Sequence, residues 1–199
     1  MRKSGFTLAE VLITLVIIGV IAAMTVPTLM NNTNSQEFRS ALKKSISALN
    51  QAVTMHYALE GSLVSEETSA ESVVSNIFAA RLNVINSGGA STALWATTET
   101  GGACTGTVFI TADGISYCVQ NFSSANDAST GACDNFGNNP CTAAAGANVL
   151  IDVNGLKKPN KLTTSSNQPK DVYQAQLYSQ RVIPYGEATQ QVMYDHGLN

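Results

Sequence analysis

Residues 6–30 read FTLAEVLITLVIIGVIAAMTVPTLM, and this apolar stretch decides how the rest of the chain is organised. It holds one charged residue, Glu10, among 25 positions. As a helix rising about 1.5 Å per residue it would extend roughly 37 Å, which exceeds the roughly 30 Å hydrocarbon core of a bilayer. A carboxylate inside such a helix costs roughly 3 kcal/mol in lipid. The sequence therefore predicts a membrane-spanning helix in which Glu10 needs a partner.

A short basic leader, residues 1–5, precedes the apolar stretch. Its Arg2 and Lys3 favour a cytoplasmic N-terminus by the positive-inside tendency. The leader is too short for a secretory signal peptide, and no small-residue cleavage site follows the apolar stretch. We therefore expect the apolar helix to stay with the mature protein, and we expect any cleavage to fall between Gly5 and Phe6.

The junction resembles the type III signal of type IV pilins and type II secretion pseudopilins in the sequence Lys3-Ser4-Gly5-Phe6-Thr7-Leu8-Ala9-Glu10-Val11-Leu12-Ile13. The family's glycine before the cut, aromatic residue after it and glutamate five residues into the mature chain correspond to Gly5, Phe6 and Glu10. The resemblance implies that a prepilin peptidase removes residues 1–5 and that Phe6 is N-methylated. It also implies that Gly19 and Pro27 loosen the helix.

Cleavage would place a cationic amine on Phe6, near Glu10. In a staggered bundle of copies, the Phe6 amine of one subunit can pair with the Glu10 carboxylate of its neighbour. Because an unpaired charge in an apolar interior is costly, this pairing would make the register specific. The alternative is a plain membrane anchor in which Glu10 reaches toward the bilayer surface.

The resemblance also implies a location and a set of partners. The precursor would cross the bacterial inner membrane once, with its head in the periplasm. An inner-membrane assembly platform and its ATPase machinery would then move the helix into a pilus or pseudopilus of copies or related pilins. The role would be structural, and the sequence has no HExxH, no G-x-S-x-G and no glycine-rich phosphate loop. We therefore expect no enzyme activity.

Composition narrows the remaining function classes. The net charge is −3 with 13% charged residues, and no segment is strongly basic. A dedicated nucleic-acid surface is therefore not indicated. The 199 residues leave room for the apolar helix and one modest domain. The two histidines lie far apart in the sequence, and we expect His56 to be partly exposed.

Four cysteines lie beyond the membrane segment: Cys104, Cys118, Cys133 and Cys141. An even count in an exported region predicts two disulfides. Three pairings are possible, and we favour the sequence neighbours, Cys104 with Cys118 and Cys133 with Cys141. The alternative is a zinc site, which the lack of a C-x2-C spacing disfavours.

A second periodic pattern follows the membrane stretch. Apolar residues recur at spacings of three and four, which is typical of one helix face: Phe38, Leu42, Ile46, Leu49, Val53 and Tyr57. We predict a nearly continuous helix from Phe6 to about Glu60, with an amphipathic part at 31–60. Residues 61–199 would form a globular head. The predicted fold is α+β and pilin-like, with the amphipathic part packed on a small antiparallel sheet.

Within the head, a second helix is predicted at about 69–85. Thr68 and Glu71 match a capping box, and residues 86–89 would stop this helix. Its apolar face would hold Val74, Ile77, Phe78, Leu82 and Ile85.

Strand-like patterns follow the second helix. Asp113-Gly114 predicts a two-residue hairpin turn between strands at 107–112 and 115–122. Further strands are predicted at 92–97, at 148–153 and at 171–181, the last with the Tyr173 face inward. A short final helix is expected at 187–196, and residues 123–146 are expected to form a surface loop.

Asp152 and Asn154 are the weak candidates for a metal site. Asp, Asn and Gly at short spacing can bind calcium through oxygen, and some secretion pseudopilins carry a calcium loop near the C-terminus. Here one acidic residue stands beside two lysines, and the next acid is Asp171. A turn built from Asn-Gly and Pro-Asn explains the same residues without a metal. We therefore expect no cofactor, with calcium as the alternative.

These features together predict a structural subunit, the precursor of a type IV pilus or type II secretion pseudopilus component. The alternative is a membrane-anchored extracytoplasmic binding module that never polymerises and that recognises its partner through residues 123–146.

Overall fold

The computed structural model describes residues 5–89, 95, 104–123, 146–164 and 170–194, apart from the side chains at 28, 30–33 and 123. The chain divides into two compact units, Met1–Glu37 and Phe38–Asn199. The first unit is helical from Leu8 onward, and the second combines helices with an antiparallel sheet. The fold class is therefore α+β, as predicted.

The first helix, α1, covers Leu8–Glu60, in agreement with the predicted helix from Phe6 to about Glu60. Gly61 follows it with a φ of +71°, and the Gly61 N–H donates to the Tyr57 carbonyl at 3.0 Å. A left-handed φ is unfavourable for residues that carry a Cβ, so glycine gives the helix a defined end.

The second helix is shorter than predicted. It consists of α2 (Ala70–Ser72), a π-helical turn (Val73–Phe78) and α3 (Ala79–Arg81). Val74, Ile77 and Phe78 are buried and Leu82 is half-buried, in line with the prediction, but Ile85 lies on a strand and is 65% exposed.

The cap of this helix also differs from the prediction. Ser69 is the N-cap, and its side chain accepts a hydrogen bond from the Ser72 N–H at 3.1 Å. In return, the Ser72 hydroxyl accepts one from the Ser69 N–H at 3.1 Å. The predicted pair of Thr68 and Glu71 was wrong by one position, because serine replaces the usual glutamate in this box.

Six antiparallel strands form one sheet in which the spatial order equals the sequence order. The strands are β1 (Val84–Gly89), β2 (Thr107–Thr111), β3 (Ser116–Ser123), β4 (Gly146–Asp152), β5 (Val172–Tyr178) and β6 (Val182–Tyr185). The strands β2 to β5 were predicted. The strands β1 and β6 were not predicted, because they contain glycines and a proline, which usually indicate breaks in a strand. Both lie at edges of the sheet, where such residues are tolerated.

The hairpin between β2 and β3 has a longer turn than predicted. Ile110 pairs with Ser116, and the Thr111 N–H donates to the Ile115 carbonyl at 3.1 Å. The loop is therefore the three residues 112–114, not two. Gly114 has a φ of +85°, which suits the left-handed last position of a three-residue hairpin loop.

The main core of the second unit joins the amphipathic part of α1 to the inner face of the sheet. Of the predicted apolar stripe, Leu42, Ile46, Leu49 and Val53 are buried, Phe38 is half-buried and Tyr57 is exposed. The largest buried side chains of the sheet are Phe109, Tyr117, Ile151, Tyr173 and Leu177. The inward Tyr173 face of β5 is thus confirmed.

His56 was predicted to be partly exposed, and this was wrong. Its side chain is buried, and its Nε2 lies 2.9 Å from the Ser62 hydroxyl. Ser62, in the segment that follows α1, contacts His56, so this segment helps to cover a position that helical periodicity alone placed beside the core.

The C-terminal part ends in α4 (Glu187–Tyr194), close to the predicted final helix. Of the predicted strand at 92–97 the structure describes Trp95 alone, which is buried. Of the predicted surface loop at 123–146 the structure describes only Ser123, at the end of β3, and Gly146, at the start of β4.

Candidate functional site

The first candidate site is the start of α1, where Thr7 precedes the helix and Glu10 lies in its first turn. Glu10 Oε2 accepts hydrogen bonds from the Thr7 N–H and from the Thr7 hydroxyl, both at 2.8 Å. The Glu10 N–H donates to Thr7 Oγ1 at 3.3 Å. These contacts form a capping box, in which each side chain satisfies the other residue's backbone N–H. Thr7 was not predicted as a functional residue, although the sequence contains the Thr-x-x-Glu spacing of a capping box.

The apolar surface around Glu10 is exposed. Within the described residues, one helix is long and apolar enough to cross a membrane, Leu8–Pro27, with a mean hydropathy of 2.5 and none of it buried. Phe6 is 89% exposed. Water-soluble proteins rarely expose apolar patches of this extent, and this surface is suited to contact with lipid or with other apolar helices.

Gly19 and Pro27 both lie inside α1 without ending it. A Cβ added to Gly19 would meet no atom within 4 Å, so this position offers open space for a neighbouring helix to approach closely. Pro27 has no N–H, so the carbonyl four residues before it lacks its usual helical donor. The loosening role of the two residues stays a prediction.

In the head, Cys104 and Cys118 form a disulfide with their Cα atoms 5.9 Å apart. The first of the two favoured pairings is therefore confirmed, and Cys133 and Cys141 lie outside the described residues. The bridge ties the segment before β2 to β3. Cys118 also belongs to a small buried apolar cluster on the outer face of the sheet, together with Trp95, Val108, Leu150 and Val172.

The metal candidates lie in a turn at one end of the sheet. Asp152 ends β4, and Asp171 immediately precedes β5; both carboxylates are buried. Asp171 accepts hydrogen bonds from the N–H groups of Asn160 at 2.6 Å and Lys161 at 2.8 Å. Asp152 Oδ1 accepts one from the Asn154 N–H at 3.2 Å. We call residues 152–160 the aspartate loop. Asp171, which seemed too distant in the sequence, holds this loop closed.

The side chain of Asn160, the last residue of the aspartate loop, contacts several other loop residues. This role was not predicted from the sequence. Its side-chain amide meets three acceptor oxygens: Lys157 O at 2.8 Å, and Gly155 O and Asp152 Oδ2 at 3.1 Å each. With its nitrogen toward them, the amide donates to all three. Asn154 Oδ1 and Ser116 Oγ are buried without a hydrogen-bond partner in the described part of the chain. The loop therefore concentrates oxygen atoms in a small buried volume.

The aspartate loop and β5 bring two buried carboxyl groups close together, those of Asp152 and Asp171. Burial, together with the nearby Asp171 carboxylate, raises the pKa of Asp152 to about 8. Among the described residues no group of three or more His, Cys, Asp or Glu side chains could hold a metal. A ligand set here would instead combine carboxylate, amide and carbonyl oxygens, which are the donors that calcium prefers. These are oxygen types that calcium can bind, and calcium at this loop stays a proposal.

Comparison with known proteins supports the N-terminal assignment. Residues 1–26 match the family described as the prokaryotic N-terminal methylation motif. The type II secretion system core protein G of Aeromonas hydrophila is 42% identical to this chain over 55 residues, 28% of the chain. The match spans 38% of that relative, and no solved structure matches the chain. The chain therefore carries a prepilin-type N-terminal motif, in line with the resemblance at Gly5, Phe6 and Glu10.

Proposed function

We propose that this chain is the precursor of a structural subunit of a type IV pilus or a type II secretion pseudopilus. One observation carries the proposal: an exposed apolar helix with a single carboxylate, Glu10, directly follows a prepilin-type junction at Gly5 and Phe6. An apolar surface of this kind can be covered by lipid before assembly and by copies of itself afterwards.

Assembly changes the partner of Glu10. In the single subunit, Thr7 supplies both hydrogen bonds to the carboxylate, which lowers the cost of holding it in lipid. A prepilin peptidase removes residues 1–5, and methylated Phe6 then carries a cationic amine. In the filament, Glu10 pairs with the Phe6 amine of a neighbouring subunit, and this charge pair sets the register.

The proposed location and partners follow from the same steps. The precursor spans the bacterial inner membrane once, with its head in the periplasm, until an assembly platform and its ATPase move it into the filament. The relative is a type II secretion system core protein, which supports secretion as the setting. The rival function is a membrane-anchored binding module that never polymerises.

We further propose Ca²⁺ as the ligand of the aspartate loop. Asp152, Asn160 and the carbonyls of Gly155 and Lys157 would hold it. Bound calcium would neutralise the buried Asp152 carboxylate. It would also stabilise the loop that connects the end of β4 to the start of β5.

The function is tested by comparing sheared surface fractions from cells that carry wild-type, Glu10→Ala or Glu37→Ala chains with the assembly machinery. Glu37 is the matched control, because it is an exposed glutamate on the same helix. We expect Glu10→Ala to be cleaved normally and to reduce filament yield by about tenfold or more, since an unpaired buried amine costs more than about 1.4 kcal/mol. Normal yield from Glu10→Ala contradicts the pairing. Filaments absent even from the wild type would favour the binding module.

A further inference from the structure

The sheet of the head has two edge strands, β1 and β6, and their outward backbone groups are treated differently. At the turn between β5 and β6, the Tyr178 N–H donates to the Arg181 carbonyl at 2.7 Å. Because the bonding side alternates along an antiparallel strand, the backbone groups of Val182 and Pro184 point away from β5. Outward groups of this kind can pair with a strand of another chain unless something else satisfies them.

The outward groups of β6 are already satisfied. The side-chain amide of Asn50, on α1, takes the place of a next strand. Its Oδ1 accepts a hydrogen bond from the Val182 N–H at 2.8 Å, and its Nδ2 donates to the Val182 carbonyl at 2.7 Å. Pro184 has no N–H, and its carbonyl accepts a hydrogen bond from Gln190 Nε2 at 3.4 Å. This edge of the sheet is therefore closed to a further strand.

The opposite edge, β1, has outward groups that face solvent. In β2, the Thr111 N–H donates to the Ile115 carbonyl at 3.1 Å, so every second residue of β2 from Thr111 bonds toward β3. Phe109 is one of these residues, and Ser87 is its register partner in β1. The N–H and carbonyl of Ser87 therefore point away from β2, and Ser87 is exposed.

The sequence of β1 lacks the usual protection of an edge strand. Residues 84–89 read VINSGG, with no charged residue and no proline, the two features that most simply prevent strand addition. The single irregularity in its pairing lies at its start, between Val84 and Asn86. From Asn86 to Gly89 the ladder is regular, so this stretch can pair with another strand.

A groove of about 210 Å³ lies between β1 and the second helix. A cavity of roughly 150 Å³ holds a benzene molecule, so the groove has room for one long side chain. Its lining includes the apolar Val74 and the exposed Glu71, whose carboxylate has no hydrogen-bond or ion-pair partner among the described residues. The groove therefore fits a lysine or arginine, with the methylene stem on Val74 and the cation at Glu71.

We propose that β1 receives an extended segment of a partner protein as a seventh strand, with a lysine or arginine of that segment in the groove beside Glu71. Of the strands in the described sheet, a second copy could offer only β1 itself, because β6 is closed and the others are interior. Since β1 carries no cation, a second copy would leave Glu71 without a counter-charge. This interaction goes beyond the proposed function and does not depend on filament assembly.

The experiment uses the full chain in non-ionic detergent micelles and a blocked, fluorescently labelled peptide, Thr-Val-Thr-Arg-Thr-Val-Thr, with binding followed by anisotropy. Ser87→Pro removes the outward N–H and leaves the bonds between β1 and β2 in place. Ser87→Ala is the matched control, because it removes the same hydroxyl and keeps the N–H. Ser87→Lys is a second blocking variant, since it places a positive charge beside the incoming arginine.

We expect wild type and Ser87→Ala to bind the peptide saturably and with equal Kd. Ser87→Pro and Ser87→Lys should bind at least about tenfold more weakly, while the Tm of all four chains stays within a few degrees. Replacing the central arginine of the peptide with threonine should weaken binding to wild type by about twofold to fivefold, as expected for an exposed ion pair. That loss should disappear in Glu71→Gln.

Equal affinity in Ser87→Pro and Ser87→Ala, or no saturable binding to wild type at millimolar peptide, would overturn strand addition at β1. An effect of the arginine that persists in Glu71→Gln would overturn its placement in the groove. Sedimentation without peptide tests the alternative occupant, a second copy. A dimer that wild type and Ser87→Ala form and that Ser87→Pro loses would overturn the assignment to a partner protein, and equal sedimentation of the three chains would support it.

Discussion

Thr7 and Glu10 are joined by three hydrogen bonds at the start of α1. The Glu10 carboxylate accepts two from the Thr7 N–H and hydroxyl, both at 2.8 Å, and the Glu10 N–H donates the third to Thr7 Oγ1 at 3.3 Å. Glu10 therefore already has a partner in the single subunit. A charge pair with the Phe6 amine of a neighbour has to be more favourable than this cap. The proposed filament would gain specificity from that difference, because only a neighbour in the correct register would offer a better partner.

Replacing Thr7 with Val should loosen the first turn of α1 without preventing cleavage after Gly5. Loss of an N-cap hydroxyl costs about 1 kcal/mol, which corresponds to roughly fivefold faster amide exchange at the start of the helix. Hydrogen exchange of the processed chain in micelles measures this. Thr14→Val is the matched control, since the Thr14 hydroxyl only donates to the Val11 carbonyl within the helix. Equal exchange in both variants would show that the capping box does not form.

The corrected cap of the second helix can be tested with a pair of adjacent substitutions. Ser69→Ala should lower the free energy of unfolding of the head by about 1 kcal/mol, because the N-cap hydroxyl is lost. Thr68→Ala should change it by less than about 0.5 kcal/mol, since the Thr68 side chain is exposed. Urea denaturation of both variants gives the comparison. A larger loss from Thr68→Ala would restore the original assignment of the cap.

The disulfide between Cys104 and Cys118 should contribute measurably to the head. The half-cystines are 14 residues apart, and closing a loop of that length stabilises a protein by about 3 kcal/mol. Replacing both with Ala should lower the unfolding free energy by about this amount. Mapping of non-reduced peptides should recover the two residues in one linked fragment. Recovery of Cys104 linked to Cys133 or Cys141 would contradict the assigned pairing.

The aspartate loop should make the metal-free head less stable as pH rises. The Asp152 pKa is about 8 in the folded chain against an ordinary value of 3.8, so the folded state binds this proton more tightly than the unfolded state. The stabilisation is complete below the ordinary pKa and is lost as pH rises through about 8. We expect a loss of roughly 1–3 kcal/mol across this range in EDTA.

The Asp152→Asn variant isolates this effect, because it removes the titrating group and should flatten the pH dependence over the same range. Glu71→Gln is the control, since Glu71 is exposed on the same head and its loss should leave the slope unchanged. Urea denaturation at several pH values supplies the data. The contrary result would be a free energy of unfolding that rises from about pH 4 to pH 8 in wild type relative to Asp152→Asn. It would show that the Asp152 pKa is not raised in the folded head.

Much of the helical architecture followed from the sequence. The run of apolar residues and the stripe from Phe38 to Val53 are long, regular signals, and α1 ends at Glu60, as predicted. The edge strands β1 and β6 were missed for a physical reason: at an edge, a strand tolerates Gly88, Gly89 and Pro184, which a sequence reader takes as breaks.

The candidate sites also differ in how far they could be predicted from the sequence. Glu10 could be found from local context, because its neighbours in the sequence define the junction. The role of Asn160 and Asp171 could not, since their contact is made only when β5 returns alongside β4. His56 shows the same limit, because its burial depends on the path of the chain after α1.

The most direct test of the central claim is the intact mass and N-terminal fragment spectrum of the protein isolated from native membranes. We predict a chain that has lost Met1 to Gly5 and begins with N-methylated Phe6. A chain that still begins at Met1 in cells with an active prepilin peptidase would contradict the assignment as a filament subunit precursor and would favour a simple membrane anchor.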